Sequence, residues 1–300
     1  MDLLALADFV SVARHGGFGR AARATGRPKA TLSRRVAELE ASLAIRLFER
    51  GARRLALTEE GRMLHQRAGA LLAEIDETAA AITSGGRTPR GRLKISAPLL
   101  FSQTAMGRLV AGFALRYPEV RLEVTTEDRP VDMIEEGYDL VIRVNPPDDE
   151  SLIGRVFLRD GLVVVASPAL PRPAEGARVP VVLRGAAGQA GQWRMITADG
   201  PLSLAIDPVL SLSSMTMVRD AARMGVGAAR LPTSLVAGDI AAGNLVLWGE
   251  VEGPETRLWA LYPSRRLLSA RVSAFLDYLK EAFPEGRSEE LAAYIAKGQD

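Results

Sequence analysis

From Arg92 to the end of the chain, short apolar runs alternate with stretches of helical period, and this alternation limits the possible folds more than any other feature. L-K-I-S-A is followed by F-S-Q-T-A-M-G-R-L-V-A-G-F-A-L-R-Y-P, then by V-R-L-E-V-T, V-D-M-I-E-E-G and Y-D-L-V-I-R-V. A second series runs through V-P-V-V-L, P-V-L-S-L, S-M-T-M-V-R-D-A-A-R-M-G and V-G-A-A-R-L-P. After L-W-A-L-Y-P, the segment V-S-A-F-L-D-Y-L-K-E-A-F puts Val272, Phe275, Leu276, Leu279 and Phe283 on one helix face. Parallel strands need a crossover, usually a helix, so the pattern predicts β-α-β units and largely parallel sheets. Two series predict two small α/β lobes, with the chain crossing between them near residues 162–168 and 258–263.

The residue inventory narrows the chemistry. The 300 residues include no cysteine and only two histidines, His15 and His65. Disulfides, thiolate nucleophiles and thiolate metal sites are therefore excluded, and the body has no histidine for a Ser-His-Asp relay or a metal site. No G-x-S-x-G, G-x-G-x-x-G or Walker-type loop stands between a strand and a helix. We expect no catalytic residue, no metal and no cofactor. The N-terminus M-D-L-L-A-L-A-D-F-V has no basic leader, and no apolar run approaches the roughly 18 residues of a membrane span, so a cytoplasmic location without membrane contact is expected. His15 is expected at a helix end as a cap, and His65 on a solvated helix face.

Charge is distributed unevenly. Residues 1–57 carry eleven Lys/Arg against five Asp/Glu, whereas residues 91–300 carry 23 against 26. A basic module of this size points to a polyanion, with nucleic acid ahead of membrane. Asp2 is a candidate cap for a first helix with Leu3, Leu4, Ala7, Val10 and Ala13 inward, ended by Gly16-Gly17. Phe18 anchors a short second helix closed by Gly26. The third, G-R-P-K-A-T-L-S-R-R-V-A-E-L-E, has Leu32, Val36, Leu39 and Leu43 on one stripe and Pro28 in its first turn. The second and third helices are separated by the short turn of a helix-turn-helix, whose second helix enters the major groove by its N-terminal half. That half contains Arg27, Lys29, Ala30, Thr31, Ser33 and Arg34, which offer long donors, a methyl and hydroxyls to base edges and phosphates. Arg50, Arg53 and Arg54 fall around the tip of a hairpin formed by F-E-R and L-A-L, placed to touch backbone or minor groove. The bland alternative for these charges is a solvated helix face.

The run from G-G-F-G-R-A-A through L-S-R-R-V-A-E-L-E and L-A-I-R-L-F-E-R to L-A-L-T-E-E-G resembles the winged helix-turn-helix of the LysR-type transcriptional regulators. The similarity continues to about residue 284. L-K-I-S-A-P, F-A-L-R-Y-P-E-V-R-L, V-D-M-I-E-E-G-Y-D-L-V-I-R-V and G-V-G-A-A-R-L-P are similar to that family's effector-binding domain, itself like periplasmic solute-binding proteins. One departure is Pro28-Lys29, where the family often has Ser followed by Gln or Pro. The resemblance implies an α/β protein with an N-terminal winged helix-turn-helix (1–57), a long linker helix (58–84), a hinge (85–91) and a two-lobed, periplasmic-binding-protein-like effector domain (92–300). Lobe I would span about 92–164 plus 262–284, and lobe II about 165–261.

Thr58 is a good N-cap, with Glu59 and Glu60 in the first turn. Leu64, Ala68, Leu71, Ile75, Thr78 and Ile82 then follow a 4-3-4-3-4 spacing, which reads as a short coiled-coil seam or as a helix packed on its own domain. The resemblance implies the former: a homodimer through this helix gripping double-stranded promoter or operator DNA, assembly into homotetramers or larger, and RNA polymerase as a further candidate partner. In open α/β sheets ligands sit beyond the carboxyl ends of strands. That rule selects Ala97, Pro98, Leu99 and Ser102, Thr126 and Glu127, and Arg143 and Asn145 in one lobe, and Ser213, Ser214 and Met215 in the other. Helix N-termini at Ser102–Thr104 and Ser213–Thr216, with Arg143, would favour a small anionic or polar effector. The competing reading gives the serines to helix capping and Arg143 to Glu127 or Asp128. Two other function classes stand beside the regulator: an effector-independent architectural DNA binder, and an α/β enzyme with a basic accessory head. The tail E-G-R-S-E-E-L-A-A-Y-I-A-K-G-Q-D lies beyond the resemblance and is expected to be a marginal helix.

Overall fold

A computed structural model describes residues 2–49, 55–83, 88–133, 136–147, 152–176, 178–185, 191–263 and 268–298, without the side chains of residues 70, 73, 74 and 76–83. The chain divides into two compact units, residues 1–88 with 132–137, and residues 89–131 with 138–300.

The first unit begins with α1 (Leu3–Arg14), capped by Asp2, whose carboxylate accepts the Leu4 N–H at 2.9 Å. The buried face of α1 differs from the expected one. Ala5, Leu6, Phe9, Val10 and Val12 are inside, while Leu3 and Leu4 are exposed. Apolar residues surround the first two turns, so the wheel alone defines no single stripe there. His15 is the C-cap, its Nδ1 2.8 Å from the Ser11 carbonyl oxygen. α2 (Phe18–Thr25) ends at Gly26, whose φ of +70° lies in the left-handed region that glycine enters without a Cβ penalty. α3 (Lys29–Leu43) buries Leu32, Val36 and Leu39, each stabilising by roughly 1.5–3 kcal/mol. Pro28 stands as its N-cap, one place before the first turn.

Phe48 and Leu57 form an antiparallel bridge, extended by the Glu49 N–H on the Ala56 carbonyl (2.9 Å), so a hairpin closes the head. Phe48 lies 5.4 Å from the Phe9 ring and 5.9 Å from that of Phe18. Thr58 caps α4 (Glu59–Thr83) through its hydroxyl, which accepts the Gly61 N–H at 2.9 Å and donates to the Arg46 carbonyl at 2.7 Å. Gly61 is required by close approach, because a Cβ there would collide with the Leu47 carbonyl. The first half of the expected seam turns inward: Ala68 is buried and Leu64 packs on the head's core. Leu71 and Ile75 are 54% and 51% exposed, and Thr78 and Ile82 have side chains outside the described set. His65 is half-buried, edge-on to Phe9 at 6.4 Å, and not solvated as expected.

The second unit holds two sheets. Lobe I has the order β2-β1-β3-β11-β4, from β1 (Gly91–Ala97), β2 (Val120–Thr126), β3 (Leu140–Val144), β4 (Leu152–Asp160) and β11 (Thr256–Pro263). Lobe II is a closed barrel, β10-β5-β9-β6-β8-β7. Its strands are β5 (Leu162–Ala166), β6 (Arg178–Arg184), β7 (Gln192–Thr197), β8 (Gly200–Leu212), β9 (Ala228–Pro232) and β10 (Val246–Val251). Among the described residues, only β1 with β2 and β3, and β6 with β8 and β9, pair in parallel. The expectation of largely parallel sheets is corrected by the antiparallel returns, including the β7–β8 hairpin, which turns through Ala198-Asp199 into Gly200 at φ +114°. The lobe boundaries also shift. All of β5 belongs to lobe II and all of β11 to lobe I, so the crossings fall at Gly161 and at 252–255, a few residues before those expected.

Helix α5 (Leu99–Phe101), a π turn (Ser102–Met106) and α6 (Gly107–Arg116) follow β1 in succession. α7 (Met215–Arg223) and α8 (Thr233–Ala241) belong to lobe II. α9 (Ala270–Ala282) buries Val272, Phe275, Leu276 and Leu279 as its period predicts. In V-D-M-I-E-E-G, expected to be helical, Met133, Glu136 and Gly137 lie in turns and the Glu136 N–H reaches the Asp132 carbonyl at 2.9 Å, while residues 134 and 135 lie outside the described residues; residues 132–137 group with the first unit. The tail forms α10 (Ser288–Ala296), better packed than a marginal helix: Leu291 is buried, Tyr294 lies 5.3 Å from Phe283, and the Glu290 carboxylate accepts the Gly286 N–H at 2.7 Å.

Candidate nucleic-acid interface and inter-lobe cleft

The apolar stripe of α3 faces the core of the head, which leaves Lys29, Ala30, Ser33 and Arg34 exposed on the opposite side, with Thr31 half-buried at its margin. Arg34 donates to Glu38 at 2.6 Å one turn further on, an exposed pair of small energetic value that a stronger partner could displace. Arg27 departs from expectation. Its guanidinium is paired with Asp8, which is 1% exposed and also accepts from Arg35 at 3.2 Å. Arg27 is thus tied to the head through a buried acceptor, although its own side chain keeps 40% exposure. Sequence spacing could not show this, because the pair joins residues 19 apart on different elements. Arg50, Arg53 and Arg54, expected around a hairpin tip, lie outside the described residues.

In lobe I the selected residues lie at or just beyond the carboxyl ends of β1, β2 and β3. Ala97 and Thr126 are register partners at the ends of β1 and β2, and the Glu127 N–H reaches the Ala97 carbonyl at 3.0 Å. Pro98 is buried, and it precedes Leu99, the first residue of α5. The expected helix start at Ser102–Thr104 is wrong: the Ser102 N–H is already bonded to the Pro98 carbonyl at 2.9 Å, inside the helix. The N–H at the true start, Leu99, is taken by Asp128 Oδ1 at 2.8 Å. Arg143 is half-buried, and it donates to Ser96 Oγ (2.9 Å) and the Ile142 carbonyl (2.7 Å). Burial lowers its pKa, and nearby Tyr138, Asp128 and Glu127 offset this only in part. Neither acid takes Arg143 as an ion-pair partner: Glu127 pairs with Arg129 at 3.2 Å, and Asp128 with Arg184 at 2.6 Å. Asn145, at φ +40°, is spent on structure. Its N–H and side-chain carbonyl bond the backbone of Arg257, both at 2.9 Å, and prolong the β3–β11 ladder.

In lobe II, Ser213 is exposed at the end of β8, and Ser214 is the N-cap of α7 by backbone only, its hydroxyl 2.8 Å from Thr216 Oγ1. Met215 packs on the lobe II core, as does Leu100 from lobe I. Arg184 ends β6 beside Leu212 and crosses to Asp128, so it joins the two lobes. Sequence reasoning missed Asp128 and Arg184 as a pair, although the strand-end rule that selected Thr126 applies equally to V-V-L-R.

A basic helix-turn-helix head joined by a long helix to a two-lobed α/β unit with its polar residues at strand ends defines a DNA-binding regulator with a small-molecule-binding domain. Residues 3–62 match the model of the bacterial regulatory helix-turn-helix protein, lysR family, and residues 86–284 match that of the LysR substrate binding domain. The chain belongs to the LysR family of transcriptional regulators, and is not an enzyme. It is 32% identical to the HTH-type transcriptional regulator PtxR of Pseudomonas aeruginosa over 94% of this chain and 93% of that one. A second P. aeruginosa relative, an HTH-type transcriptional repressor, is 30% identical over 96% and 94%. The solved structure of CrgA, a LysR-type transcriptional regulator from Neisseria meningitidis, superposes with a TM-score of 0.54 at 27% identity, covering 97% of this chain and 99% of that one. Regulators of this family bind DNA and act as oligomers. Among the described residues no helix is long and apolar enough to cross a membrane.

Proposed function

We propose that this regulator reads its operator with Lys29, Ala30, Thr31, Ser33 and Arg34 in the major groove and with the wing arginines Arg53 and Arg54 on the backbone. The carrying observation is the two-sidedness of α3: Leu32, Val36 and Leu39 are buried and a polar, cationic face is exposed on the far side. Dimers form through α4, where Leu71 and Ile75 remain exposed beside a seam whose first half is spent on the head. Assembly of such dimers into tetramers or larger, contact with RNA polymerase and a cytoplasmic location complete this reading. Arg34→Ala is expected to weaken operator binding by about 1–3 kcal/mol and relax specificity, whereas Arg53→Ala weakens all sequences alike. Fluorescence anisotropy on operator and scrambled duplexes separates the two, and unchanged operator binding by both variants defeats the groove assignment.

The effector in this reading is a small carboxylate-bearing or otherwise polar metabolite bound between the lobes, with no further cofactor. Arg143 supports it: a half-buried guanidinium held by a hydroxyl and backbone carbonyls carries a charge that Asp128 and Glu127 offset only in part. Calorimetry of the full chain against a metabolite panel should find a carboxylate whose affinity falls at least about tenfold in Arg143→Ala, the loss of one charge-assisted hydrogen bond. Tight binding only of neutral apolar compounds rejects the anion reading.

A further inference from the structure

Asp8 is the one charged side chain buried in the head among the described residues, and it joins three elements. It projects from α1 and accepts Arg27 on Oδ1 and Arg35 on Oδ2, the first from the turn before α3 and the second from the second turn of α3. The proline ring locks φ at −58° at one end of the turn, and Gly26 takes the left-handed φ of +70° at the other. Arg27, between them, is the side chain through which that turn is tied to α1. Arg34 and Arg35 are neighbours in sequence with opposite fates, one exposed toward solvent and Glu38, the other turned inward to Asp8. A single carboxylate, with two oxygens, is the acceptor that holds both guanidinium groups at once.

We propose that Asp8 is a positioning residue for DNA recognition, which withdraws Arg27 from the duplex and uses it, with Arg35, to fix the angle at which α3 presents Lys29, Ser33 and Arg34 to the bases. The inference rests on α3 being the groove helix. Base readout depends on orientation, because donor pairs must meet base edges in register, whereas phosphate attraction depends chiefly on the number of cations. Loosening the Asp8 hub therefore lowers specific affinity and leaves the non-specific component intact.

The test uses the full-length chain with two probes: a duplex recovered by the wild-type protein from a randomised library, and a scrambled duplex of equal composition. Anisotropy titrations at several salt concentrations give affinities and salt slopes. Arg27→Gln is expected to lose about tenfold or more on the selected duplex, the scale of one displaced base contact, with scrambled-duplex affinity and slope unchanged. A slope shallower by about 0.9 on the scrambled duplex makes Arg27 a direct phosphate contact and overturns the proposal. Asp8→Asn, which frees Arg27, is expected to lose the same specific affinity with an equal or steeper slope; proportional losses on both duplexes overturn the proposal. Where Asp8→Asn does not fold, Arg27→Gln decides alone. Arg34→Ala separates the two levels: a loss there with none in Arg27→Gln removes the positioning role and keeps the groove helix, and a loss in neither removes both.

Discussion

The head and the effector-binding unit each bury an aspartate, Asp8 and Asp160, and the two are satisfied by opposite means. Asp8 sits between two guanidinium groups on different elements. Asp160 ends β4, immediately before the crossing to lobe II, and accepts the Ser234 N–H at 3.2 Å and the Ser234 hydroxyl at 2.6 Å. It thereby caps α8, which has no side-chain cap of its own. Burial pushes the Asp160 carboxyl up from 3.8 to about 6; the Ser234 bonds pull the other way and Glu289 adds repulsion. Cationic partners make a buried carboxylate an anchor, whereas neutral donors make it a cap whose strength depends on a proton.

The largest effect separating the two comes from removing the anchor. Asp8→Ala leaves Arg27 and Arg35 without their anion, and breaking a buried pair costs about 3–5 kcal/mol. Both cations keep part of their solvent, at 40% and 25% exposure, so the lower end is expected. Faster hydrogen exchange confined to α1 and α3 peptides reports it, and unaltered exchange there makes Asp8 dispensable.

Asp160→Asn should act in the opposite direction. The folded value lies above the unfolded one, so the stabilisation from the bound proton is complete below pH 3.8 and is lost as pH rises through about 6. An upward shift from 3.8 to about 6 corresponds to about 3 kcal/mol at about 1.4 per unit. Asparagine stays neutral, so the variant is expected to gain about 2–3 kcal/mol over the native chain at pH 7.5 and to match it at pH 4. Trp193, Trp248 and Trp259 all lie in this unit, so urea unfolding followed by tryptophan fluorescence isolates it. A loss of stability at pH 7.5 instead would mean that the ionised cap outweighs its burial. Ser234→Ala, which deletes the 2.6 Å hydroxyl bond and keeps the N–H, is a smaller change, about 1–2 kcal/mol at pH 7.5. An equal loss in the Asp160→Asn background would assign it to packing.

Neither aspartate was legible in the sequence, although the scaffold around each was. The stripe of α3, the Gly26 stop, the Thr58 cap and the apolar face of α9 all follow from local period and capping chemistry, which act over a few residues. The Asp8–Arg27 and Asp160–Ser234 pairs span 19 and 74 residues, and neither end carries a local signal. The same distance effect explains the strand-end residues of lobe I and lobe II. Strand ends located Ala97, Thr126 and Arg143, whereas the pairing of Asp128 with Arg184 and the spending of Asn145 on the β3–β11 ladder needed the sheets in place. A 4-3 spacing likewise could not tell which half of the α4 seam the head would cover, since Ala68 and Leu71 differ only in what they meet.

The smallest effect turns the comparison toward pH. His65 of α4 lies half-buried against Phe9, and burial lowers its pKa from 6.5, with Arg14 adding a like charge. Its folded value is below the unfolded one, so its contribution is present above pH 6.5 and is lost as pH falls through the lowered folded value. Acidification should therefore weaken the head over a range in which Asp160 strengthens the effector-binding unit. The head contains no tryptophan, so the part of the far-ultraviolet circular dichroism transition that fluorescence does not follow reports it. His65→Phe should keep the edge contact with Phe9 and remove the acid-side loss, leaving the fluorescence transition unmoved. If the dichroism transition of His65→Phe still shifts to lower urea on acidification by as much as the native one, the head's acid sensitivity arises from its carboxylates. The opposed pH trends would then come from different chemistry than a buried imidazole and a buried carboxyl.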